Sequence, residues 1–201
     1  MKYNIFLIIF CLNISFGQEK KTKSIITIKP ELIFYIIAPN NLGDNYLAKA
    51  NDSKIGIGTN LNLIEVQHFK LAMGYDYIGY SVTDVSKAGN YKSSRYNAVY
   101  GTLSYEMKLS NDFKVQPYLG LGSVKLNFKS SNRSFGHQTG DDFRIGFNVD
   151  YKLDKTISAF GGFGYVSSTY DVKTAPEFVS FYDNSKILQI NIGFKIKFVN
   201  D

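Results

Sequence analysis

The side chains best suited to acid–base chemistry in this 201-residue chain are its two histidines. His137 stands in the segment Phe135–Asp142, with a hydroxyl two residues later at Thr139 and two carboxylates at the end of the segment. A histidine beside a hydroxyl and a carboxylate is the set that many hydrolases use to activate a nucleophile. His68 lies in a short polar turn, where we expect solvation or capping rather than catalysis.

Candidate residues for metal or cofactor chemistry are few. The single cysteine, Cys11, lies in an N-terminal apolar segment, and two histidines without a further cysteine are too few ligands for a zinc site. Asp141, Asp142 and Asp183 have oxygens that suit calcium, but their spacing matches no calcium-binding motif. No glycine-rich phosphate loop precedes a helix. We therefore expect no catalytic residue, no metal site and no cofactor.

The N-terminus has the pattern of an export signal. Lys2 precedes the apolar run at residues 5–12, and a small residue and a polar segment follow. Eight apolar residues are too few to cross a membrane as a helix. We predict a cleaved signal peptide at 1–17, a periplasmic linker at 18–24 and one domain at 25–201.

The rest of the chain is dominated by alternation of apolar and polar residues, most clearly at Ile187–Phe198. From Leu188 onward every second residue is apolar, and the residues between are polar or glycine. A period of two indicates a strand with two chemically opposite faces. About eleven residues are enough for a tilted strand to cross a bilayer. The pattern predicts eight strands, at 25–37, 54–63, 69–80, 96–109, 114–128, 143–153, 157–170 and 187–198.

The connections between these strands alternate in length. Three are short, at 64–68, 110–113 and 154–156, whereas four are longer and polar, at 38–53, 81–95, 129–142 and 171–185. Short periplasmic turns and long outer loops are typical of an all-β, up-and-down antiparallel transmembrane barrel. Pro30 lacks an N–H and predicts an irregularity in the first strand, and an apparent change of phase near Ser123 predicts a bulge.

The composition of the two strand faces indicates which one meets lipid. No charged residue falls on the apolar face, and the other face is rich in glycine, which the narrow interior of an eight-stranded barrel requires. We therefore predict that the apolar face points outward into lipid. A secreted soluble barrel with its apolar face inward is the alternative. The predicted lipid-facing residues include Leu71, Leu103, Ile145, Phe147, Ile190, Ile192 and Phe194.

The charged residues of the strands all fall on the predicted inner face, and most lie near the periplasmic ends. Charges of both signs in a narrow interior remain there only when they are paired and hydrogen-bonded. We predict a charge network that closes the lumen and leaves no open pore. Its members are Lys29, Glu31, Lys70, Asp76, Glu106, Lys108, Arg144, Asp150, Lys152, Lys195 and Lys197.

Three short segments carry a resemblance to a known family. They are Pro117–Gly122, Phe160–Tyr165 and Ile192–Phe198, each placed on a predicted strand. With them the chain resembles the eight-stranded outer-membrane β-barrel domain proteins of the OmpX and OmpA-barrel type, in a style similar to Bacteroidetes proteins. The resemblance implies a monomer in the bacterial outer membrane, inserted by the barrel-assembly machinery through the C-terminal strand.

The expected role is a non-enzymatic, structural or surface-interaction barrel that displays its loops to the outside. Outer-membrane lipid and lipopolysaccharide are the expected partners, and a net charge of +6 does not indicate nucleic acid. Aromatic residues of the fourth loop, at Phe178, Phe181 and Tyr182, either contact a partner or pack over the barrel mouth. The loop cations expected to attract anionic headgroups are Lys87, Lys92, Arg95, Lys129 and Arg133.

A second function class follows from His137. The order of histidine and hydroxyl is similar to the dyad of barrel-type lipid A deacylases, which place it on a strand wall with a serine. Here the hydroxyl belongs to Thr139, in a predicted glycine-flanked loop. A lipid A-modifying hydrolase and a secreted soluble barrel that binds a hydrophobic ligand therefore stay as alternatives.

Overall fold

The structure, a computed structural model, describes residues 26–27, 30–130 and 133–198. The predicted signal peptide and linker lie outside the described residues, as does Lys29 of the predicted charge network. Within the described ranges, no helix has the length and apolar character needed to cross a membrane.

Eleven strands and three short helices make up the described part of the chain. The three shortest strands are β1 (Ile26–Thr27), β3 (Asn51–Ser53) and β7 (Met107–Lys108). The helices are α1 (Tyr46–Ala50), α2 (Val85–Ala88) and α3 (Pro176–Tyr182). The long strands are β2 (Glu31–Leu42), β4 (Gly56–Val66), β5 (Phe69–Val82), β6 (Ser93–Tyr105), β8 (Phe113–Ser130), β9 (Arg133–Lys152), β10 (Ile157–Tyr170) and β11 (Asn184–Lys197).

The eight long strands form a closed antiparallel barrel, as predicted. Each pairs with the next along the chain, and β11 completes the ring by pairing with β2, where Ile192 lies opposite Ile36. Closure leaves no unpaired strand edge within the wall, so the backbone N–H and C=O groups there are satisfied between neighbours. We call the end that carries the helices the loop end, and the end with the tight β4–β5 and β9–β10 connections the turn end.

The first predicted strand is irregular at Pro30, in agreement with the prediction. β1 and β2 both pair with β4, at Ile26↔Val66 and Glu31↔Asn62, while Pro30 belongs to neither strand. Proline has no N–H for the ladder, which explains the interruption.

The prediction of a long loop at 129–142 is wrong. β8 and β9 stay paired to their ends, from Val124↔Gly140 to Ser130↔Arg133, with a register shift near Phe128 and a left-handed Gly136 at φ 127°. Polar residues dominate this stretch, so it lacks the apolar alternation that predicts the other strands. Backbone pairing with β8 is sufficient to form the strand without an apolar face.

The outward and inward faces of the strands are distributed as predicted. On β11, Ile192 is 60% exposed and the neighbouring Asn191 is 6% exposed. All the predicted lipid-facing residues are exposed on the outer wall, and Gln189, Gly193 and Lys195 point inward. The outer wall is therefore an apolar band over the middle of the barrel.

The lumen differs from the prediction near the loop end, where it is apolar. Ile37, Ile78, Leu126, Val166 and Ile187 all point inward and are almost completely buried. We call the inward-facing apolar cluster at the loop end the apolar plug; on the barrel strands it includes Ile37, Ile78, Tyr80, Ala98, Val124, Leu126, Val166, Tyr170 and Ile187.

The apolar plug explains why the bulge predicted at Ser123 is wrong. Ser123 remains outward and Val124 inward, so the alternation of β8 continues without a slip. The apolar residues change face here because the lumen changes from polar to apolar. Register shifts lie instead between Asn62 and Ile64 and near Phe128.

Candidate functional site

A buried cation and two carboxylates occupy the centre of the lumen. Arg144 on β9 donates through Nη1 to Asp76 on β5, and through Nη2 to Asp142 at 2.7 Å. All three side chains are almost inaccessible to solvent. Charges remain in a barrel interior when their hydrogen-bonding groups are paired in this way.

Three tyrosines and a serine complete the pairing of the two carboxylates. Tyr35 donates to Asp76 at 2.6 Å and also lies in hydrogen-bond contact with Tyr100. Tyr96 donates to Asp142 at 2.6 Å, and the Ser168 hydroxyl donates to the other oxygen of that carboxylate. The Tyr100 ring lies 3.6 Å from the guanidinium carbon of Arg144, a cation–π contact. We call this set the Arg144 cluster; its members are Tyr35, Asp76, Tyr96, Tyr100, Asp142, Arg144 and Ser168.

The second group of charges lies at the turn end of the lumen. Lys70 contacts Glu106 at 2.7 Å and Glu31 at 3.6 Å, while Lys114 and Lys197 bind the outer sides of the same two carboxylates. We call these five residues the turn-end ion group. They alternate in sign around the lumen, so each charge has an opposite neighbour.

One ion pair lies deeper than the turn-end ion group. Lys195 on β11 contacts Asp150 on β9 at 2.7 Å and donates to the Gln116 side chain at 2.8 Å. Four lysines and three carboxylates therefore face this half of the lumen, whereas the Arg144 cluster has one cation and two carboxylates. The net charges of +1 and −1 cancel across the lumen.

The structure places most, but not all, of the predicted lumen charges inside the barrel. Glu31, Lys70, Asp76, Glu106, Arg144, Asp150, Lys195 and Lys197 lie in these ion pairs. Lys108 and Lys152 are wrong assignments, because both are exposed at the turn end, where the lumen opens to solvent. Asp142 and Lys114 were missed. Alternation could have predicted both, because Asp142 lies two residues before the inward-facing Arg144 and Lys114 lies two residues before the inward-facing Gln116.

The loop end is covered by a row of contacting aromatic rings. The Tyr91 ring stacks on Phe128 at 4.9 Å, and Phe128 lies edge-on to Tyr46 of α1 at 5.6 Å. Tyr46 in turn contacts Tyr182 of α3, whose hydroxyl donates to the Lys87 carbonyl at 2.6 Å. The loop helices therefore pack over the barrel mouth, and of the predicted fourth-loop aromatics Phe178 is the exposed one.

Helix α2 within this cover is capped by Asp84. Its carboxylate accepts from the Ser86 N–H at 3.0 Å and contacts Lys87 at 2.9 Å. The Ser86 hydroxyl also donates to this carboxylate. This hydroxyl hydrogen bond, first among the causes, and the contact with Lys87 lower the pKa of Asp84 to about 2.

A polar groove lies on the outer wall just beyond the apolar band at the loop end. Its volume is about 640 Å³, and Val99 of the apolar band forms part of its lining. The groove offers hydroxyl, amide, carboxylate and ammonium groups on neighbouring strands. Its polar lining residues are Asn97, Ser123, Lys125, Thr139, Asp141, Thr169 and Asp171.

His137 lies on strand β9 rather than in a loop, on the same outward face as Thr139 and Asp141. Its cross-strand partner is Asn127. Among the described residues, no hydrogen bond joins the side chains of these three outward residues. Asp142 points into the lumen and accepts a hydrogen bond from Arg144, so its carboxylate is unavailable to His137 on the outer face. His68 lies in the β4–β5 turn against the Tyr105 ring at 5.7 Å.

Metal ligands do not converge in the part of the chain that the structure describes. No group of three or more His, Cys, Asp or Glu side chains lies there in metal-binding proximity. Asp141 and Asp142, whose oxygens would suit calcium but whose spacing matches no calcium motif, point to opposite faces of β9.

Comparison with known proteins gives matches in structure only. No family model matches the sequence, and no curated protein matches it. The crystal structure of Neisserial surface protein A is similar with a TM-score of 0.59 and 12% identity, covering 84% of this chain and 97% of that chain.

Two further structures have the same fold. A major outer membrane protein from Thermus thermophilus has a TM-score of 0.55 and 10% identity, covering 86% of this chain and 100% of that chain. The outer membrane protein AlkL in lipid bilayers has a TM-score of 0.51 and 13% identity, covering 92% of this chain and 96% of that chain. The chain therefore has the fold of the outer-membrane β-barrels, as its sequence predicted.

Proposed function

We propose that this chain, which folds as an eight-stranded barrel of the outer-membrane type, is a non-enzymatic outer-membrane protein that displays its loop end to the outside. Its barrel anchors the loop end in the membrane, and its outer wall binds the lipid around it. The turn end faces the periplasm in this proposal, and the C-terminal strand β11 is the segment that the barrel-assembly machinery reads.

The apolar outer wall is the observation that carries the proposal. Large apolar side chains are exposed on all eight barrel strands, among them Phe34, Leu71 and Ile192. Patches of more than a few hundred Å² are rare on soluble monomers and mark a membrane or protein interface. A continuous band around a closed barrel matches the lipid-facing surface of outer-membrane barrels.

The contents of the lumen support a structural role rather than a pore. The Arg144 cluster closes the centre of the lumen, and the apolar plug and the aromatic cover close the loop end. Eight-stranded barrels have an interior just wide enough for side chains to fill. We therefore expect no conductance above that of the bare bilayer when the purified protein is reconstituted in planar membranes.

The polar groove on the outer wall supports contact with lipopolysaccharide. It continues the apolar band at the height where acyl chains give way to sugar and phosphate, and Lys125 lies within it. Arg95, two residues from Asn97 on the same outward face, adds a second cation. Hydroxyl and carboxylate groups suit sugar hydroxyls, while the two cations suit phosphate.

Fractionation and gel mobility test the membrane assignment. In isolated outer membranes, the folded barrel should migrate differently before and after boiling in detergent. Recovery of the protein from the periplasm or the medium without detergent would instead favour the soluble barrel that binds a hydrophobic ligand.

Charge reversal tests the contact with lipopolysaccharide. The double variant Arg95→Glu/Lys125→Glu should lower co-purification of lipopolysaccharide severalfold, because both cations lie beside the headgroup layer. Lys155→Glu, in the β9–β10 turn at the opposite end, is the matched control. Equal lipopolysaccharide on both variants would refute the contact.

A lipid A-modifying hydrolase is the second candidate, and the observation in its favour is that His137 lies on a strand wall beside Thr139. Against it, Asp142 is held by Arg144, and no carboxylate among the described residues forms a hydrogen bond or ion pair with His137. His137→Ala should leave the lipid A profile of the cell unchanged. Loss of a modified lipid A species in the His137→Ala strain would instead support the hydrolase.

A further inference from the structure

His137 belongs to a group of basic residues on the outer wall at the loop end. The outward face of β8 presents Asn127 there, and the register places Arg95 of β6 directly opposite it on one side and His137 of β9 directly opposite it on the other. Lys125 and Lys129 are the outward residues before and after Asn127 on β8 itself. We call these five residues the cationic patch.

The five residues of the patch lie close enough together to act on one ligand. In an antiparallel sheet, Cα atoms directly opposite each other are about 5 Å apart, and the second residue along a strand is about 7 Å away. Asn127 therefore has four neighbours at these distances, which long side chains span. Arg95, Lys125 and His137 are exposed, whereas Asn127 and Lys129 are half-buried.

The patch is positively charged and has no carboxylate among its members. Within the described ranges, the ion pairs all lie elsewhere. The carboxylates next to the patch belong to Asp141, on the same face of β9, and to Asp171, whose N–H donates to the Thr139 carbonyl at 2.8 Å. Both flank Thr139, two residues from His137, so neither belongs to the ring around Asn127. An anion from outside the chain therefore suits the patch.

The height of the patch on the wall identifies the source of the anion. On β6, Val99 is the last outward apolar residue before the loop end; its partner Ser123 on β8 is followed two residues later by Lys125. A lipid whose acyl chains lie along the apolar band therefore brings its headgroup beside the patch. A phosphorylated saccharide headgroup combines negative charge with hydroxyls, which suit cationic and carboxamide side chains together.

We propose that the cationic patch binds a phosphate group of the lipopolysaccharide headgroup, and that His137 makes this binding stronger in a mildly acidic medium. This inference rests on the proposed function and adds to it the phosphate site and its pH response. Histidine is the side chain whose charge ordinarily changes between about pH 5 and 8. Protonated His137 adds a fourth cation beside the phosphate, and neutral His137 leaves three. This role of His137 needs neither Thr139 nor a carboxylate.

Binding of lipopolysaccharide to the folded full chain in detergent, at about pH 5.5 and about pH 8 and constant ionic strength, tests the proposal. His137→Gln removes the charge at both pH values, and His137→Lys keeps it at both. The wild type should bind like His137→Lys at the lower pH and like His137→Gln at the higher. The two variants should differ in affinity by about two- to fivefold, the size of an exposed ion pair. The second ionisation of the phosphate, at about pH 6, affects all three chains alike and cancels in the comparison.

The second histidine of the chain supplies the matched control. His68→Gln, in the β4–β5 turn at the opposite end of the barrel, should keep the wild-type pH response. Gel mobility before and after boiling verifies that each variant is folded. Lipopolysaccharide stripped of its phosphates should bind the wild type, His137→Gln and His137→Lys equally.

The outcomes separate this inference from the proposed function. If the wild type binds lipopolysaccharide but responds to pH no more than His137→Gln does, the inference is overturned and the contact with lipopolysaccharide stands. The same holds if the difference between the His137 variants persists on the dephosphorylated ligand. If the wild type binds no lipopolysaccharide at either pH, the contact in the proposed function is refuted together with this inference.

Discussion

Arg144 is the residue on which most of the buried polar contacts of the barrel centre depend. Its guanidinium contacts two carboxylates on different strands, a tyrosine hydroxyl at 3.1 Å and the face of the Tyr100 ring. A planar group with five donors can make all these contacts at once, which a lysine cannot. The carboxylates of Asp76 and Asp142 would otherwise be buried beside each other without a cation.

Arg144→Leu should destabilise the folded barrel strongly, because it leaves two buried carboxylates without their cation. Removing one partner of a buried pair costs about 3–5 kcal/mol. Urea unfolding of the protein in lipid vesicles measures the change. Arg95→Leu, on the exposed outer wall near the loop end, should change stability by less than about 0.5 kcal/mol. Similar losses for the two variants would contradict the importance of the Arg144 cluster.

Asp84 predicts a pH response that is confined to the loop end. Its pKa in the folded chain, about 2, lies below the ordinary value of 3.8. A lowered pKa means that the cap is fully present above about pH 4 and is lost as the pH falls toward 2. The Ser86 amide resonance should therefore stay constant from neutral pH to about pH 4 and shift below it. Asp84→Asn should shift it already at neutral pH and remove the acid transition.

The strand pair β2–β4 shows how two elements determine each other at the barrel centre. Gly58 on β4 faces the Tyr35 ring on β2, and a Cβ at Gly58 would overlap the ring carbons. Tyr35 cannot move aside without losing its hydrogen bond to Asp76. The glycine is therefore required by a close approach of two strands rather than by backbone conformation.

Gly58→Ala should destabilise the barrel by about 1–3 kcal/mol, the usual cost of overpacking a filled interior. Gly161→Ala on β10 is the control, since a Cβ there meets no atom within 4 Å. Gel mobility before and after boiling, followed against temperature, compares the two. If Gly161→Ala prevented folding and Gly58→Ala did not, the assignment of Gly58 to the lumen and of Gly161 to the outer face would be contradicted.

At the scale of the whole molecule, the barrel is stratified along its axis. The turn end contains paired ions, the middle contains carboxamides and the Arg144 cluster, and the loop end contains the apolar plug beneath its aromatic cover. The outer wall has the opposite arrangement: it is apolar over the middle of the barrel and polar at the groove near the loop end. A membrane requires the outer order, because charges at its midplane are unfavourable, whereas the lumen only has to be filled and paired.

Ile192→Arg should oppose insertion into lipid vesicles by about 2–4 kcal/mol, because it places a charge in the apolar band near the middle of β11. Asn97→Arg, in the polar groove of the outer wall, should insert normally. Folding into vesicles, followed by gel mobility, measures both. If Ile192→Arg instead left insertion unchanged and improved solubility without detergent, the band would not face lipid.

The sequence determined the strand number, the closure and the outward face, because a period of two persists wherever one face must meet hydrocarbon. It also indicated the interruption at Pro30. It did not reveal the paired ends of β8 and β9, because a strand outside the membrane needs no apolar face. Likewise, the alternation predicts a bulge near Ser123 where the apolar plug begins, because a pattern in one dimension cannot distinguish a bulge from a lumen that changes polarity.

Tertiary structure alone decided which buried groups meet. Asp142 and Arg144 are two residues apart, but Asp76 joins them only because β5 lies across the closed lumen from β9, 68 residues away in sequence. The same closure places carboxamide side chains of β4 and β11, the two strands that flank β2, around one cavity. It also places Asp142 in the lumen, on the opposite side of the wall from His137. The alternation of the sequence predicts whether a side chain points outward or into the lumen. Only the closure of the barrel determines which other side chains it contacts in the lumen.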